Sequence, residues 1–270
     1  MNKDDQSNQK LQNNLKKIKH KILVLSGKGG VGKSTVATNL AIALSQKTQV
    51  VGLLDIDLHG PSIPNMLGIA DKKPQTTQNG LQPIPYSTTL KVMSMGFLVE
   101  HPDQPVIWRG PMKMGAIKQL LSDVDWGNLE YLIVDLPPGT GDEPLSIIQL
   151  LTDCDGAIIV TTPQDIALIS VKKSINFVKK MQIPILGIIE NMSGFTCPHC
   201  GETIDVFKTD GGVHTATHHE IPFLGKIPLD PTIAVDSDQG KPFFNETKKG
   251  ETTQAFETIV KNIQKQIKKR

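Results

Sequence analysis

A nine-residue segment near the start of the chain has the residue types and spacing of a phosphate-binding loop. It reads GKGGVGKST over residues 27–35, follows an apolar run over 21–26 and precedes a helical pattern over 33–46. Glycines let backbone N–H groups converge on phosphate oxygens, and a helix N-terminus adds partial positive charge. In this pattern Lys33 contacts the β- and γ-phosphates of ATP, and the Ser34 hydroxyl binds Mg²⁺. Unless the segment is an ordinary glycine-rich turn, the expected nucleotide contacts are Gly27, Lys28, Gly29, Gly30, Val31, Gly32, Lys33, Ser34 and Thr35.

Three aspartates at the ends of apolar runs have the position needed to complete this site. Asp55 and Asp57 lie in LLDIDLHGPS, and Asp135 lies in LIVDLPPGTGD. A phosphate loop is usually accompanied by a strand-end carboxylate that holds the Mg²⁺ shell, and Asp135 is predicted to do so. Asp57 is predicted to orient the attacking water, and Asp55 to support Mg²⁺. The alternative interpretation is a strand-end cap for Asp135 and a pair of solvated strand-end carboxylates for Asp55 and Asp57.

A pair of cysteines forms a second candidate site. Cys197 and Cys200 lie in FTCPHCGE, with the spacing of two metal ligands. Two thiolates do not complete a four-coordinate site, and the third cysteine, Cys154, begins an apolar run typical of the core. CPHCG is also half of a zinc-ribbon pattern, which would bind zinc. Thiol oxidation chemistry is a further alternative, but GETIDVF follows the pair and favours extended structure over the helix of such sites.

Short apolar runs alternate with helical patterns along the chain and must position these residues. Because the runs show little alternation, they are typical of strands buried on both faces, as in parallel sheets. The sequence therefore predicts an α/β fold with a mostly parallel sheet and helices on both faces. The predicted strands cover 21–26, 50–55, 129–135, 156–162, 183–190 and 221–227, and the predicted helices cover 33–46, 112–123, 142–152, 165–181, 231–239 and 252–268.

Composition limits the function classes. The net charge of +2 over 270 residues does not indicate a nucleic-acid partner, and three cysteines do not form a disulfide framework. No apolar run is long enough to span a bilayer, and the start of the chain lacks a signal-peptide core, which predicts a cytoplasmic protein. Residues 1–20 are predicted to be a polar flexible tail with a helical turn or two, and residues 21–270 a single domain. Residues 69–90 form an excursion from the sheet, and an insertion near 191–220 carries the cysteine pair.

Lys28 distinguishes this loop from the ordinary phosphate loop, which does not need a lysine after its first glycine. With this lysine, the segment over 27–35 resembles the deviant Walker A class of P-loop ATPases, which includes MinD, ParA and the nitrogenase iron protein. The resemblance implies a dimer in which Lys28 reaches the partner's nucleotide, acting in trans as an arginine finger does. A solvated loop charge is the alternative for Lys28.

Linked motifs beyond the loop narrow the resemblance to the Mrp/ApbC iron–sulfur cluster carrier ATPases, from about Lys21 to the C-terminus. This resemblance implies ATP binding, slow hydrolysis, a homodimer, and a [4Fe–4S] cluster that is received from scaffold proteins and delivered to apo iron–sulfur proteins. It also implies that Asn191 contacts the adenine ring. The motifs are DLHGPSIPNMLG (57–68), WRGPM (108–112), DLPPGTGDEPLS (135–146), VTTPQDIAL (160–168), GIIENMSGFTCPHCG (187–201) and GKIPLDP (225–231).

A dimer offers an answer to the incomplete cysteine site. In a symmetric dimer the pair occurs twice, so Cys197 and Cys200 of both subunits supply four thiolates at the two-fold axis. Four thiolates suit a [4Fe–4S] cluster. We therefore expect the cluster to bridge the two subunits.

The rival interpretation is a positioning ATPase similar to ParA and MinD, with zinc as a structural metal on the cysteine pair. The C-terminal segment FETIVKNIQKQIKKR favours it, because its apolar residues share one helical face and its basic residues lie mainly elsewhere. Basic amphipathic helices bind membrane surfaces. We instead expect this helix to pack on the sheet and expect no stable membrane association. The apolar residues are Phe256, Ile259, Val260, Ile263 and Ile267.

Overall fold

The computed structural model describes residues 3–47, 49–57, 60–78, 80–98, 110–151, 153–244 and 250–270. Predictions that concern residues 1, 2, 58, 59, 79, 108, 109 and 152 lie outside the described residues. The strands are β1 (Ile18–Ser26), β2 (Val51–Asp55), β3 (Thr76–Thr77), β4 (Gly80–Leu81), β5 (Ile84–Pro85), β6 (Leu90–Ser94), β7 (Leu129–Asp135), β8 (Gly156–Thr161), β9 (Ile185–Glu190), β10 (Phe195–Thr196), β11 (Thr203–Ile204) and β12 (Phe223–Lys226).

Helices separate most of these strands. They are α1 (Lys3–Leu15), α2 (Lys33–Ser45), α3 (Ile63–Met66), α4 (Gly110–Asp123), α5 (Asp142–Leu150), α6 (Asp165–Lys180), α7 (Gly211–His218), α8 (Pro231–Asp238) and α9 (Glu251–Lys268). A 3₁₀ turn follows β6 over Met95–Leu98. Each of the six predicted helices is present, with ends that shift by one or two residues.

Eight strands form the main sheet, in the order β12-β9-β8-β1-β7-β2-β6-β5. Neighbouring strands are parallel except β5 and β6, which are antiparallel. All six predicted strands lie in this sheet, so the predicted α/β fold is confirmed. The central strands β2, β8 and β9 are buried along their whole length, as expected where helices cover both faces.

The C-terminal helix packs on the sheet rather than presenting its apolar face to solvent. Phe256, Ile259 and Ile263 of α9 are fully or almost fully buried. Gly225 in β12 permits this contact, since a β-carbon there would lie 2.7 Å from Ile259 Cγ1. Within the part of the chain that the structure describes, no helix is both long enough and apolar enough to cross a bilayer.

The predicted tail contains a longer helix than the turn or two that the sequence indicates. Residues 3–15 form α1, and β1 begins at Ile18 rather than at residue 21. Leu11 and Leu15 lie four residues apart on one helical face and are buried. Asn14 Nδ2 also donates a 2.8 Å hydrogen bond to Ser122 O in α4. Contacts with the rest of the protein therefore stabilise α1, although most of its residues are polar.

Candidate functional site

The phosphate loop joins the central strand β1 to α2. Gly30 and Gly32 have φ values of 78° and 79°, a region that favours glycine. A β-carbon at Gly27 would lie 2.4 Å from Ser170 O, so the loop starts in close contact with α6. On the other side, nothing lies within 4 Å of a β-carbon placed at Gly29 or Gly30. The loop is thus fixed at its base and open where a nucleotide phosphate would lie.

Lys33, Ser34 and Asp135 meet at the start of α2. Lys33 Nζ lies 2.7 Å from Asp135 Oδ1, and Ser34 Oγ donates a 2.5 Å hydrogen bond to Asp135 Oδ2. Asp135 is fully buried at the end of β7, next to β1. The structure therefore brings Lys33, the predicted phosphate ligand, and two of the three predicted Mg²⁺ ligands, Ser34 and Asp135, into one contact group.

The other two predicted carboxylates join the same group from β2. Asp55 lies opposite Asp135 in the parallel pair of β2 and β7. Its Oδ1 accepts a hydrogen bond from Asp57 N at 3.1 Å, and its Oδ2 accepts one from Ser94 Oγ at 2.9 Å. Asp57 Oδ2 lies 3.8 Å from Lys33 Nζ. Ser94, at the end of β6, was not predicted, because that strand was not recognised in the sequence.

Burial makes the charged forms of the Asp55 and Asp135 carboxylates unfavourable. Burial, followed by the charge of the neighbouring Asp135 carboxylate, raises the pKa of Asp55 to about 7. Burial also raises the pKa of Asp135, although Lys33 opposes the shift. Carboxylate and hydroxyl oxygens are the ligands that Mg²⁺ prefers, so this donor set fits a Mg²⁺–nucleotide complex.

Lys28 lies between Gly27, at the packed base of the loop, and Gly29, and it is half-buried. Ser26 Oγ donates a 2.9 Å hydrogen bond to Lys28 O, which fixes the backbone of the residue. Among the described residues, no ion pair involves its ammonium group.

Asn191 links the end of β9 to the phosphate loop. Its backbone N donates to Thr161 O at 2.7 Å, and its Nδ2 donates to Val31 O at 2.9 Å. A β-carbon at Gly32 would lie only 2.3 Å from this Nδ2, so side chain and loop are in direct contact. The predicted contact of Asn191 with adenine stays a prediction.

The cysteine pair lies in a short hairpin formed by β10 and β11. Cys197 N donates to Glu202 O, and Gly201 N donates to Cys197 O, both at 2.9 Å. Hydrogen bonds from the backbone N–H groups of Cys200 and His199, in that order, lower the pKa of Cys197. The residues after the pair are extended, which agrees with the interpretation that no helix starts at the first cysteine.

The two thiols have no further metal ligand among the residues that the structure describes. Cys197 is half-buried and Cys200 is exposed. Within the described residues, no further His, Cys, Asp or Glu side chain joins the pair to form a group of three that could hold a metal ion. Two thiolates leave a four-coordinate site incomplete, and the described residues add no third ligand to the pair.

One buried residue near both sites was not predicted. Glu190, the last residue of β9, is fully buried, and its carboxylate accepts hydrogen bonds from Ser193 Oγ, Asp210 N and Gly212 N. The position of a glutamate at the end of an apolar strand could have predicted this site. A buried glutamate is rarely found without hydrogen-bond donors around it, so such a residue indicates a local cluster of donors.

Residues 17–264 match the family model described as ParA: NUBPL iron-transfer P-loop NTPase. The chain belongs to this family. Similar members include an iron–sulfur cluster carrier protein from Methanocaldococcus jannaschii, 50% identical over 97% of this chain and 90% of the relative. Another is a cytosolic Fe–S cluster assembly factor NUBP2 homolog from Nematostella vectensis, 50% identical over 92% of this chain and 94% of the relative.

Solved structures agree with the fold of this NTPase family. A nucleotide-binding protein from Archaeoglobus fulgidus in complex with ADP is 37% identical, with a TM-score of 0.77 over 91% of this chain and 98% of that chain. The cell division ATPase MinD from Pyrococcus furiosus is 22% identical, with a TM-score of 0.64 over 92% of this chain and 99% of that chain. The second likeness concerns the fold alone. The resemblance to iron–sulfur carrier ATPases of the deviant Walker A class is confirmed.

Proposed function

We propose that this chain is an ATP-hydrolysing carrier of [4Fe–4S] clusters, which holds a cluster between two copies of itself and transfers it to apo iron–sulfur proteins. One observation carries the proposal. A thiol pair with incomplete ligation, Cys197 and Cys200, shares one chain with a complete phosphate-loop group, and relatives that are 50% identical carry the names iron–sulfur cluster carrier protein and Fe–S cluster assembly factor.

The phosphate-loop residues bind and orient the nucleotide. Backbone N–H groups of residues 27–35 and the N-terminus of α2 hold the phosphates, and Lys33 contacts the β- and γ-phosphates. Ser34 and Asp135 would hold Mg²⁺, with Asp55 in support, and the bound ion would supply positive charge near the phosphoryl oxygens. Asp57, close to Lys33, orients the attacking water.

Lys28 completes the phosphate site of the partner subunit. Lys28 directly precedes Gly29 and Gly30, where an added β-carbon would meet nothing within 4 Å, and we expect its ammonium group to extend from this side of the loop to the partner's nucleotide. A positive charge supplied in trans stabilises phosphoryl transfer only when the dimer is closed. Hydrolysis is therefore slow and depends on the dimer, and Asn191 contributes by contacting the adenine ring.

The cluster is cargo, held by four thiolates from two subunits. The lowered pKa of Cys197 favours the thiolate that binds iron. Exposed apolar side chains support a second copy at this surface, because such clusters mark protein interfaces. Six large hydrophobic residues are exposed among the described residues, and four of them lie on α6 or in the segment just after the cysteines: Ile166, Ile169, Ile204 and Val206. An ion pair between Lys208 and Asp165 joins these two segments.

The partners follow from this role. Scaffold proteins supply the cluster, and apo iron–sulfur proteins receive it. Free thiols that bind iron need a reducing compartment, so we place the protein in the cytoplasm. The chain offers no basis for a nucleic-acid partner, since its net charge is +2.

The test is the iron and acid-labile sulfide content of protein purified without oxygen. We expect equal iron and sulfide at one [4Fe–4S] cluster per dimer, lost in Cys197→Ser and in Cys200→Ser. Cys154→Ser is the matched control, because burial raises the pKa of Cys154 to about 12 and keeps that thiol unreactive. One full cluster per isolated monomer would refute the bridge. Zinc without sulfide would refute the carrier function and favour a positioning ATPase.

A further inference from the structure

The segment that carries the cysteine hairpin begins and ends at one buried carboxylate. Ser193 Oγ donates a 2.5 Å hydrogen bond to Glu190 Oε1, and Asp210 N donates one of 3.1 Å to the same oxygen. Ser193 precedes the hairpin and Asp210 follows it. Glu190 therefore closes the base of the segment over residues 191–210.

The second oxygen of Glu190 holds the first turn of α7. Gly212 N donates a 2.5 Å hydrogen bond to Glu190 Oε2, and a β-carbon at Gly212 would lie 3.0 Å from that oxygen. Among the described residues, no ion pair involves Glu190. A buried carboxylate is costly unless donors surround it, so these three donors fix its position.

The neighbour of Glu190 contacts the phosphate loop. Asn191 Nδ2 donates to Val31 O at 2.9 Å and lies against Gly32. A shift of the loop backbone therefore moves Asn191, and the adjacent Glu190 moves with it.

On its other side, the same strand end leads to the cysteines. Ser193 N donates to Ile227 O at 2.9 Å, and Leu229 N donates to Gly194 O at 2.7 Å, so the backbone before the hairpin is bonded to the segment that follows β12. Cys197 follows Ser193 by four residues. A displacement of Glu190 thus reaches both ends of the hairpin segment.

We propose that Glu190 is the positioning residue that couples the nucleotide state of the phosphate loop to the orientation of Cys197 and Cys200. That this coupling controls how tightly a cluster is held rests on the proposed function. The coupling itself is measurable without iron, so the two proposals can fail separately.

The experiment measures alkylation rates of Cys197 and Cys200 in metal-free protein by mass spectrometry, with Mg·ATP, with Mg·ADP and without nucleotide. In the wild type we expect the rates to differ between nucleotide states by about fivefold or more, the lower range of allosteric coupling. In Glu190→Gln, the side-chain NH₂ group cannot accept the hydrogen bonds that one carboxylate oxygen accepts. We therefore expect the alkylation rates to become nearly equal with Mg·ATP, with Mg·ADP and without nucleotide. Nucleotide titration ensures that each variant is saturated.

Two further variants sharpen the result. Glu202→Gln makes the same chemical change at an exposed position of the hairpin loop and should keep the wild-type difference. Ser193→Ala removes one hydrogen-bond donor to Glu190 and should reduce the difference in alkylation rates between nucleotide states. If Glu190→Gln does not fold, Ser193→Ala becomes the deciding variant. A full wild-type difference in the deciding variant, or no difference in the wild type, would overturn the coupling. Neither result would alter the iron and sulfide content on which the carrier function is judged.

Discussion

At the scale of single residues, burial decides the charge of Asp55. Its pKa in the folded protein is raised from the ordinary value of 3.8 to about 7, first by burial and then by the Asp135 carboxylate. Because the unfolded chain loses this proton at lower pH than the folded chain, the contribution of Asp55 to stability falls as pH rises from about 4 to about 7.

This pKa predicts proton release when the nucleotide binds. Mg²⁺ close to Asp55 favours its charged form, so binding of Mg·ATP at pH 7 should release about half a proton per chain from this group. Calorimetry in buffers of different ionisation enthalpy measures the release. Asp55→Asn should remove most of it, and an unchanged release in that variant would contradict the assignment.

The trans role of Lys28 can be tested by mixing two inactive variants. Lys28→Ala and Asp57→Asn should each lower kcat by about 10³-fold, because one loses the partner's charge and the other the water-orienting group. In a mixed dimer, one site combines an intact Asp57 with the partner's intact Lys28. A 1:1 mixture should therefore recover about a quarter of the wild-type kcat. If Lys28 acts within its own chain, the mixture stays inactive.

The sequence indicated most of the residues at the phosphate site but not all of their neighbours. Parallel strands end at one edge of a sheet, so Asp55, Asp57 and Asp135 were expected together with Lys33, as the structure has them. Their individual roles stay predictions. Ser94 contacts Asp55 from a strand whose position in the sheet is set by tertiary packing, which the sequence pattern does not reveal.

At the scale of elements, the contact between the phosphate loop and α6 depends on a glycine. A β-carbon at Gly27 would lie 2.4 Å from the backbone oxygen of Ser170, which cannot move aside as a side chain can. We expect Gly27→Ala to destabilise the protein by about 1–3 kcal/mol in urea unfolding, the usual cost of overpacking. Gly29→Ala is the control, since a β-carbon there meets nothing within 4 Å. Equal stability of the two variants would contradict this contact.

The elements that the sequence did not indicate share a physical cause. Each is stabilised by distant residues rather than by its own pattern. Helix α7 begins with two glycines, which are poor helix formers, and is held by Glu190 from β9. Strand β6 contains Lys91, a charged residue whose Nζ donates a 2.7 Å hydrogen bond to Trp126 O, just before β7. The strands and helices with long apolar patterns were predicted correctly because their burial is encoded locally.

At the scale of the whole molecule, the buried face of α9 predicts how the protein behaves with membranes. Its apolar residues contact the sheet and are not available to lipid. We therefore expect no flotation with anionic vesicles, with or without Mg·ATP, under conditions in which a MinD protein floats as positive control. ATP-dependent flotation would contradict this expectation and revive the positioning interpretation.

A hairpin that presents two thiols to solvent has a further consequence for a cell. In the proposed dimer, each chain contributes half of the ligand set, so cargo retention obeys mass action. While monomers predominate, the number of loaded carriers rises with the square of the chain's abundance. Doubling the amount of protein synthesised would then raise the number of clusters held about fourfold.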